Sequence, residues 1–163
     1  MNKETSDIID KIIVAEGGDR ETNDPSDRGG RTKYGIAEKA NPEAWADGQV
    51  TLDEARDIYY KKYVVQPGFD KIEDPSLQHQ LVDFGVNSGP FIAVQKLQGV
   101  LGVSVDGKMG PKTLAAANAA DAKALGNKLA VARAKLLCQI CVKNPSQLKF
   151  LNGWINRSLE FIV

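Results

Sequence analysis

The chain has little of what metal, redox and membrane proteins need. It holds one histidine, His79, and two cysteines, Cys138 and Cys141, in 163 residues. A structural zinc site takes about four Cys, His or carboxylate ligands at set spacings, and no such set is present. The cysteines lie three apart inside a long helical pattern and away from any strand–helix junction, so they read as structural buried thiols and not as a redox pair. No run of ~18 apolar residues occurs, which excludes a membrane-spanning helix. Net charge is zero and the lysines are dispersed, which argues against a nucleic-acid partner. The polar start, Met1 to Asp7, leads straight into an amphipathic segment and does not read as a secretion signal. The expectation is a chain that is cytoplasmic as synthesised.

Charge is uneven despite the zero sum. Residues 1–66 carry 10 Lys/Arg against 14 Asp/Glu, and residues 67–163 carry 11 against 7. A basic second half could meet an anionic polymer, although solvated lysines on helix faces explain it better, because the lysines are dispersed and not clustered. Helical periodicity dominates. Ile8, Ile9, Ile12 and Ile13 make one apolar face over residues 5–15, with Thr5, Ser6 or Asp7 as N-cap. Thr51 and Glu54 form a capping box ahead of a helix bearing Leu52, Ala55, Tyr59 and Tyr63. Further helices follow Asp74-Pro75, Gly89-Pro90 and Gly110-Pro111. The longest spans 121–143, with Leu125, Leu129, Ala132, Leu136 and Ile140 inward. A last one buries Leu148, Leu151, Ile155, Leu159 and Ile162. About seven helices and hardly any strand pattern predict an all-α protein.

The chemically informative stretch starts at the end of the first helix, at Glu16-Gly17-Gly18. Glycines stop a helix by taking the left-handed conformation, which leaves Glu16 at the last turn. A helix C-terminus carries partial negative charge, and beside an apolar face an acid there keeps its proton more readily. A carboxyl that holds its proton near neutral pH can act as a general acid. A plain helix cap followed by a surface loop is the alternative. The loop of residues 17–36 is long and rich in Gly, Asp, Asn and hydroxyls, with room for a short hairpin around Asp27-Arg28-Gly29-Gly30. Loops of that length in compact proteins tend to be functional.

The string from Glu16 through Asn23, Asp24, Pro25, Asp27, Gly29, Gly30, Thr32, Gly35 and Ile36 resembles the signature of glycoside hydrolase family 108, the bacterial and phage N-acetylmuramidases. One difference is Asp19, where that family usually has an aromatic residue after the two glycines. Downstream, the run from Asp83 to Pro90 is similar to the family at the same point of the chain. Leu97-Gln98 with Asp106-Gly107 and Gly110-Pro111 resembles the turn of helical peptidoglycan-binding domains.

The resemblance implies a lysozyme-like helical fold with a catalytic part over residues 1–93 and a peptidoglycan-binding-like part over 94–163. It implies cleavage of the β-1,4 bond between N-acetylmuramic acid and N-acetylglucosamine, with Glu16 as general acid. Asp24 and Asp27 are candidates for the second carboxylate, and Thr32 for orienting a water. Gly17, Gly18, Asn23, Tyr34, Gly35 and Asn87 are candidates for gripping sugar. Asp24 and Asp27 read equally as turn aspartates bonding their own backbone. Asn87 reads equally as one half of an i, i+4 pair with Asp83. Tyr59, Tyr60, Tyr63, Trp45 and Trp154 are either core or stacking platforms. Two carboxylates and a water suffice for glycoside hydrolysis, so no metal or cofactor is expected. The expected partner is the peptidoglycan glycan strand, bound by a monomer without membrane insertion. A prophage-type endolysin released through a membrane pore fits this. A catalytically inactive wall-binding or secretion-associated protein, and a chitin-type hydrolase, are the alternatives.

Overall fold

The computed structural model describes residues 1–23 and 30–163. Among the described residues there are seven α-helices and one two-stranded sheet. None of these helices is long and apolar enough to cross a membrane. The chain forms two compact units, Met1–Val64 and Val65–Val163.

The first unit contains α1 (Lys3–Ala15), β1 (Thr32–Lys33), β2 (Ile36–Ala37) and α2 (Leu52–Tyr59). Ile8, Ile9, Ile12 and Ile13 are all buried, as the apolar face of α1 predicts. The helix starts two residues earlier than expected, because Asn2 Oδ1 accepts the Thr5 N–H at 2.8 Å and caps it. Both halves of the Thr51–Glu54 capping box are formed at the start of α2. Short 3₁₀ turns, Glu38–Ala40 and Pro42–Trp45, fill the space between hairpin and α2, and a π turn at Tyr60–Val65 follows α2. Trp45 is core and not a platform. It is buried, its Nε1–H donates to the Ile36 carbonyl at 3.3 Å, and the Arg31 guanidinium covers its ring at 4.7 Å.

The second unit is a bundle of α3 (Pro75–Ser88), α4 (Pro90–Leu101), α5 (Pro111–Ala119), α6 (Ala122–Lys143) and α7 (Leu148–Leu159). Asp74 and Asp121 cap α3 and α6 through their carboxylates. Gln98, almost fully buried, fixes the turn before α5. Its Oε1 accepts from the N–H groups of Asp106 and Gly107, and its Nε2 donates to Asp106, Lys108 and Thr113. A methyl group on Gly107 would run into the Phe91 ring.

Three expectations need correction here. The buried face of α6 is Leu125, Gly126, Leu129, Ala130, Arg133, Leu137 and Cys141, rotated from the predicted stripe. An arginine wanted inside, Arg133, shifts the face. That rotation leaves Cys138 exposed, with only Cys141 buried. In α7 only Ser158 is buried, whereas Leu148 and Leu159 are exposed, and so is Ile162 beyond its end. Periodicity identifies an amphipathic helix but not how much of its apolar stripe a neighbour covers.

Candidate functional site

Glu16 is the C-cap of α1, half-buried, with its backbone N–H on the Ile12 carbonyl at 2.9 Å. The chain then closes a Schellman turn: Gly17 N–H donates to Val14 O at 3.2 Å and Gly18 N–H to Ile13 O at 2.9 Å. Gly17 has φ +111°, a conformation that an L side chain resists. The glycine pair therefore ends the helix abruptly and leaves the Glu16 side chain at its rim.

The hairpin docks on this helix end. Its register pairs Thr32 with Ala37 and Lys33 with Ile36. Thr22 and Thr32 exchange backbone bonds at 2.9 and 2.8 Å, which adds a bridge on the outer side. The two turn residues, Tyr34 and Gly35, both have positive φ, +53° and +74°, the type I′ geometry whose twist suits a two-residue hairpin. Tyr34 N–H donates to the Gly18 carbonyl at 3.0 Å, fixing the turn to the loop after Glu16. Gly35 lies against Glu16: a Cβ there would sit 3.0 Å from the Glu16 Cβ and inside the Tyr59 hydroxyl. Only glycine satisfies both the backbone angle and that contact.

Tyr34 is the one described non-glycine residue with positive φ. Such a conformation costs on the order of 1–3 kcal/mol, and it holds the Tyr34 ring in an open groove of about 520 Å³. Ile13, Gly17, Gly18 and Asp19 also line the groove, with Leu52 of α2. Asp10 and Arg56 complete it. Arg56 grips Asp10 with two bonds, 2.8 and 2.9 Å, and Asp53 with a third at 3.0 Å. These bonds hold the guanidinium well above its ordinary value, so it stays charged at the groove edge.

The far side of the hairpin is clamped by Arg31. Its Nη2 and Nε meet Glu38 at 2.8 and 3.1 Å, and its Nη1 donates to the Gly48 carbonyl at 2.8 Å. The Arg31 guanidinium holds the Glu38 carboxyl below the usual carboxylate range.

The structure thus gathers Glu16, Gly17, Gly18, Tyr34 and Gly35 around one helix end, with Thr32 two residues from the turn. Asp24 and Asp27 lie outside the described residues, as do three residues of the hairpin expected at Asp27 to Gly30. Asn23 precedes that stretch and is exposed. Asn87 belongs to the second unit, where its amide donates to the Asp83 carbonyl at 2.9 Å. Tyr59 is core, its hydroxyl crowding Gly35. Asp10 and Arg56 were not legible as groove residues, since 46 positions separate them. The Tyr-Gly pair between β-branched Thr32 and Ile36 is the signal that locates the turn.

A glycosyl hydrolase 108 family model matches residues 9–89, spanning the Glu16 loop, the hairpin and α3. The chain belongs to the glycosyl hydrolase 108 family. A second family model, described as a predicted peptidoglycan domain, matches residues 92–159. Among solved structures, SagA of Brucella abortus is similar at 30% identity and a TM-score of 0.71. The alignment covers 96% of this chain and 94% of SagA. No curated protein matches. The all-α, lysozyme-like fold and a glycoside hydrolase assignment follow. Within this family member, the Gly-Gly and Tyr-Gly pairs serve one purpose, to bring a helix end and a hairpin turn together on the glutamate.

Proposed function

We propose that this chain hydrolyses the β-1,4 linkage between N-acetylmuramic acid and N-acetylglucosamine in peptidoglycan, with Glu16 as general acid. The observation that carries the reading is the clamp on Glu16. Gly35 sits so close to its side chain at the end of α1 that a Cβ there would lie 3.0 Å from the Glu16 Cβ, and Gly17, Gly18 and Tyr34 next to it line an open groove. An open groove suits a polymer that enters from the side. A tyrosine ring held at its edge offers an apolar face to a sugar. Family membership and the peptidoglycan domain match support the same substrate.

In this mechanism Glu16 protonates the leaving oxygen as positive charge develops on the sugar ring. Asp24 or Asp27 supplies the second carboxylate, and the Thr32 hydroxyl orients the water. We favour inversion, in which carboxyl groups about 6.5–9.5 Å apart leave room for that water. The protein acts on the wall after release from the cell, as an endolysin does.

A zymogram on purified cell wall, run beside soluble chitin oligomers, tests the substrate. Clearing of wall with little chitin cleavage is expected. Preferential chitin cleavage would reassign the sugar, and no cleavage of either would leave a wall-binding protein. Proton NMR of the first product reads the stereochemistry, where an initial β anomer would overturn inversion.

A further inference from the structure

The second unit carries an open pocket of about 330 Å³ that the Glu16 region does not share. Its walls come from three separated stretches: residues 65–68 with Lys71, the start of α4, and the turn before α5. The first stretch lies in the glycosyl hydrolase 108 match and the last in the peptidoglycan domain match, so the pocket is assembled from both. Phe91 is 55% exposed, yet its ring is held in place against Gly107, where a methyl group would overlap it. Met109 packs on Gly68 in a similar way, 3.4 Å from a Cβ placed there. Two glycines thus let an aromatic ring and a thioether close on one space.

The rest of the pocket chemistry is cationic and amide. Lys71 and Lys108 are its charged residues, and no carboxylate lines it among the described residues. Both lysines are exposed, and neither ammonium group is in an ion pair among the described residues. Asp106 and Lys108 act on each other through space, but the Asp106 Oδ1 is taken by Gln98 Nε2 at 2.7 Å and by the Lys108 N–H at 2.9 Å. The side-chain amide of Gln66 is exposed and makes no hydrogen bond among the described residues. The volume lies at the lower end of the range of about 300–1,000 Å³ typical of small-molecule sites, room for one sugar and not for a chain of them.

We propose that this pocket binds one muramyl peptide unit of the wall without cleaving it. The sugar ring lies on Phe91, the Gln66 amide pairs with the N-acetyl group, and a stem-peptide carboxylate answers Lys71 and Lys108. An exposed aromatic face takes the apolar face of a sugar. Ammonium groups on flexible stems meet a carboxylate as point charges, without demanding one fixed geometry. Charge complementarity selects the muramyl half of the glycan, because N-acetylglucosamine carries neither peptide nor charge. The wall as ligand rests on the reading above, but the site is independent of Glu16 and of glycan cleavage.

The test is an NMR titration of the full chain with N-acetylmuramyl-alanyl-isoglutamine, which has no glycosidic bond to cleave. Shifts are expected at the Phe91 ring, the Met109 methyl and the Gly107 amide. The same compound with its carboxylate amidated, and N-acetylglucosamine, should each bind at least about tenfold more weakly. The pair Lys71→Gln and Lys108→Gln, both at exposed side chains, should weaken binding at least about tenfold, and Phe91→Leu about fivefold through loss of the ring face. No response up to about 20 mM would overturn the site, that being weaker than a millimolar affinity. Equal binding of the amidated compound, equal binding of inorganic phosphate, or binding unchanged in either variant would overturn it as well. The zymogram is read separately. Muramyl peptide binding without wall cleavage would sink the hydrolase reading and keep the pocket, and cleavage without binding would do the reverse.

Discussion

The two units handle charge in opposite ways. In Met1–Val64 the ion pairs sit at the rim. Arg31–Glu38 and Arg56–Asp10 are each about one-third exposed, and they pin short elements that could not hold their positions by burial alone. In Val65–Val163 the ion pairs are inside, with Asp83 and Arg133 nearly inaccessible among long helices. Short pieces with rim charges set a helix end and a hairpin turn beside an open groove. Long helices around a buried carboxylate give a rigid bundle. The proposed chemistry belongs to the first arrangement and stability to the second, and substitutions in each unit should separate the two.

The largest effect expected is on activity alone. Glu16→Gln keeps shape but cannot donate a proton, and general acid catalysis is typically worth about 10²–10⁴ in rate. Wall lysis should fall by that factor with far-UV circular dichroism and melting nearly unchanged. A Gln variant that clears walls at the wild-type rate would remove Glu16 from the mechanism.

Next comes the inverse case, a loss of stability. Asp83→Ala leaves Arg133 buried without its carboxylate and removes the Asp83 bonds of Arg157. Removing one partner of a buried ion pair typically costs about 3–5 kcal/mol. Urea unfolding reads this directly. A loss below about 1 kcal/mol, the scale of an exposed pair, would mean that water reaches Asp83 after all.

Gly35→Ala tests where the two behaviours meet. A left-handed backbone costs an L residue about 1–2 kcal/mol, and the new methyl presses on both Glu16 and Tyr59. Activity should drop about tenfold or more, because misplacement at the reacting groups is expensive, while the fold survives. A stable variant with full activity would show that the clamp does not position Glu16.

Local signals carried much of this architecture. The Ile face of α1, the Thr51–Glu54 box and the aspartate caps of α3 and α6 all involve residues within a few positions of one another. The glutamate at the helix end was legible for the same reason: its glycines follow it directly. What escaped was non-local. Asp83 meets Arg133 and Arg157 across 50 and 74 positions, and nothing in either helix marks that an arginine will point inward. That unseen arginine is why the inward stripe of α6 was misjudged. The apolar stripe of α7 has the right period, yet it is covered only in part: Leu151 and Ile155 are half-buried, while Leu148 and Leu159 stay exposed. The Tyr34-Gly35 turn needed a non-glycine residue at positive φ, which sequence preferences disfavour.

The smallest expected effect is the acid response of the rim. Glu38 is held below its ordinary value of 4.5, first by its side-chain bond to Arg31. Its folded state therefore binds a proton less readily than its unfolded state. The stability it contributes is present above about pH 4.5 and is lost as pH falls through the depressed folded value. Glu54 and Asp106 are lowered too, by the Thr51 capping bonds and by Gln98, so the whole protein responds in one window. A Glu38→Gln variant isolates one contribution. Its melting temperature should lie slightly below wild type near neutral pH, and the gap should close as pH falls through the depressed folded value. Because the pair is partly exposed, the gap should also shrink in about 1 M salt, where charges more than ~3 Å apart are screened. The Asp83 network, out of reach of solvent ions, should keep its contribution in the same salt. A Glu38 gap that ignored both acid and salt would place its pair with the buried kind and erase the contrast between the two units.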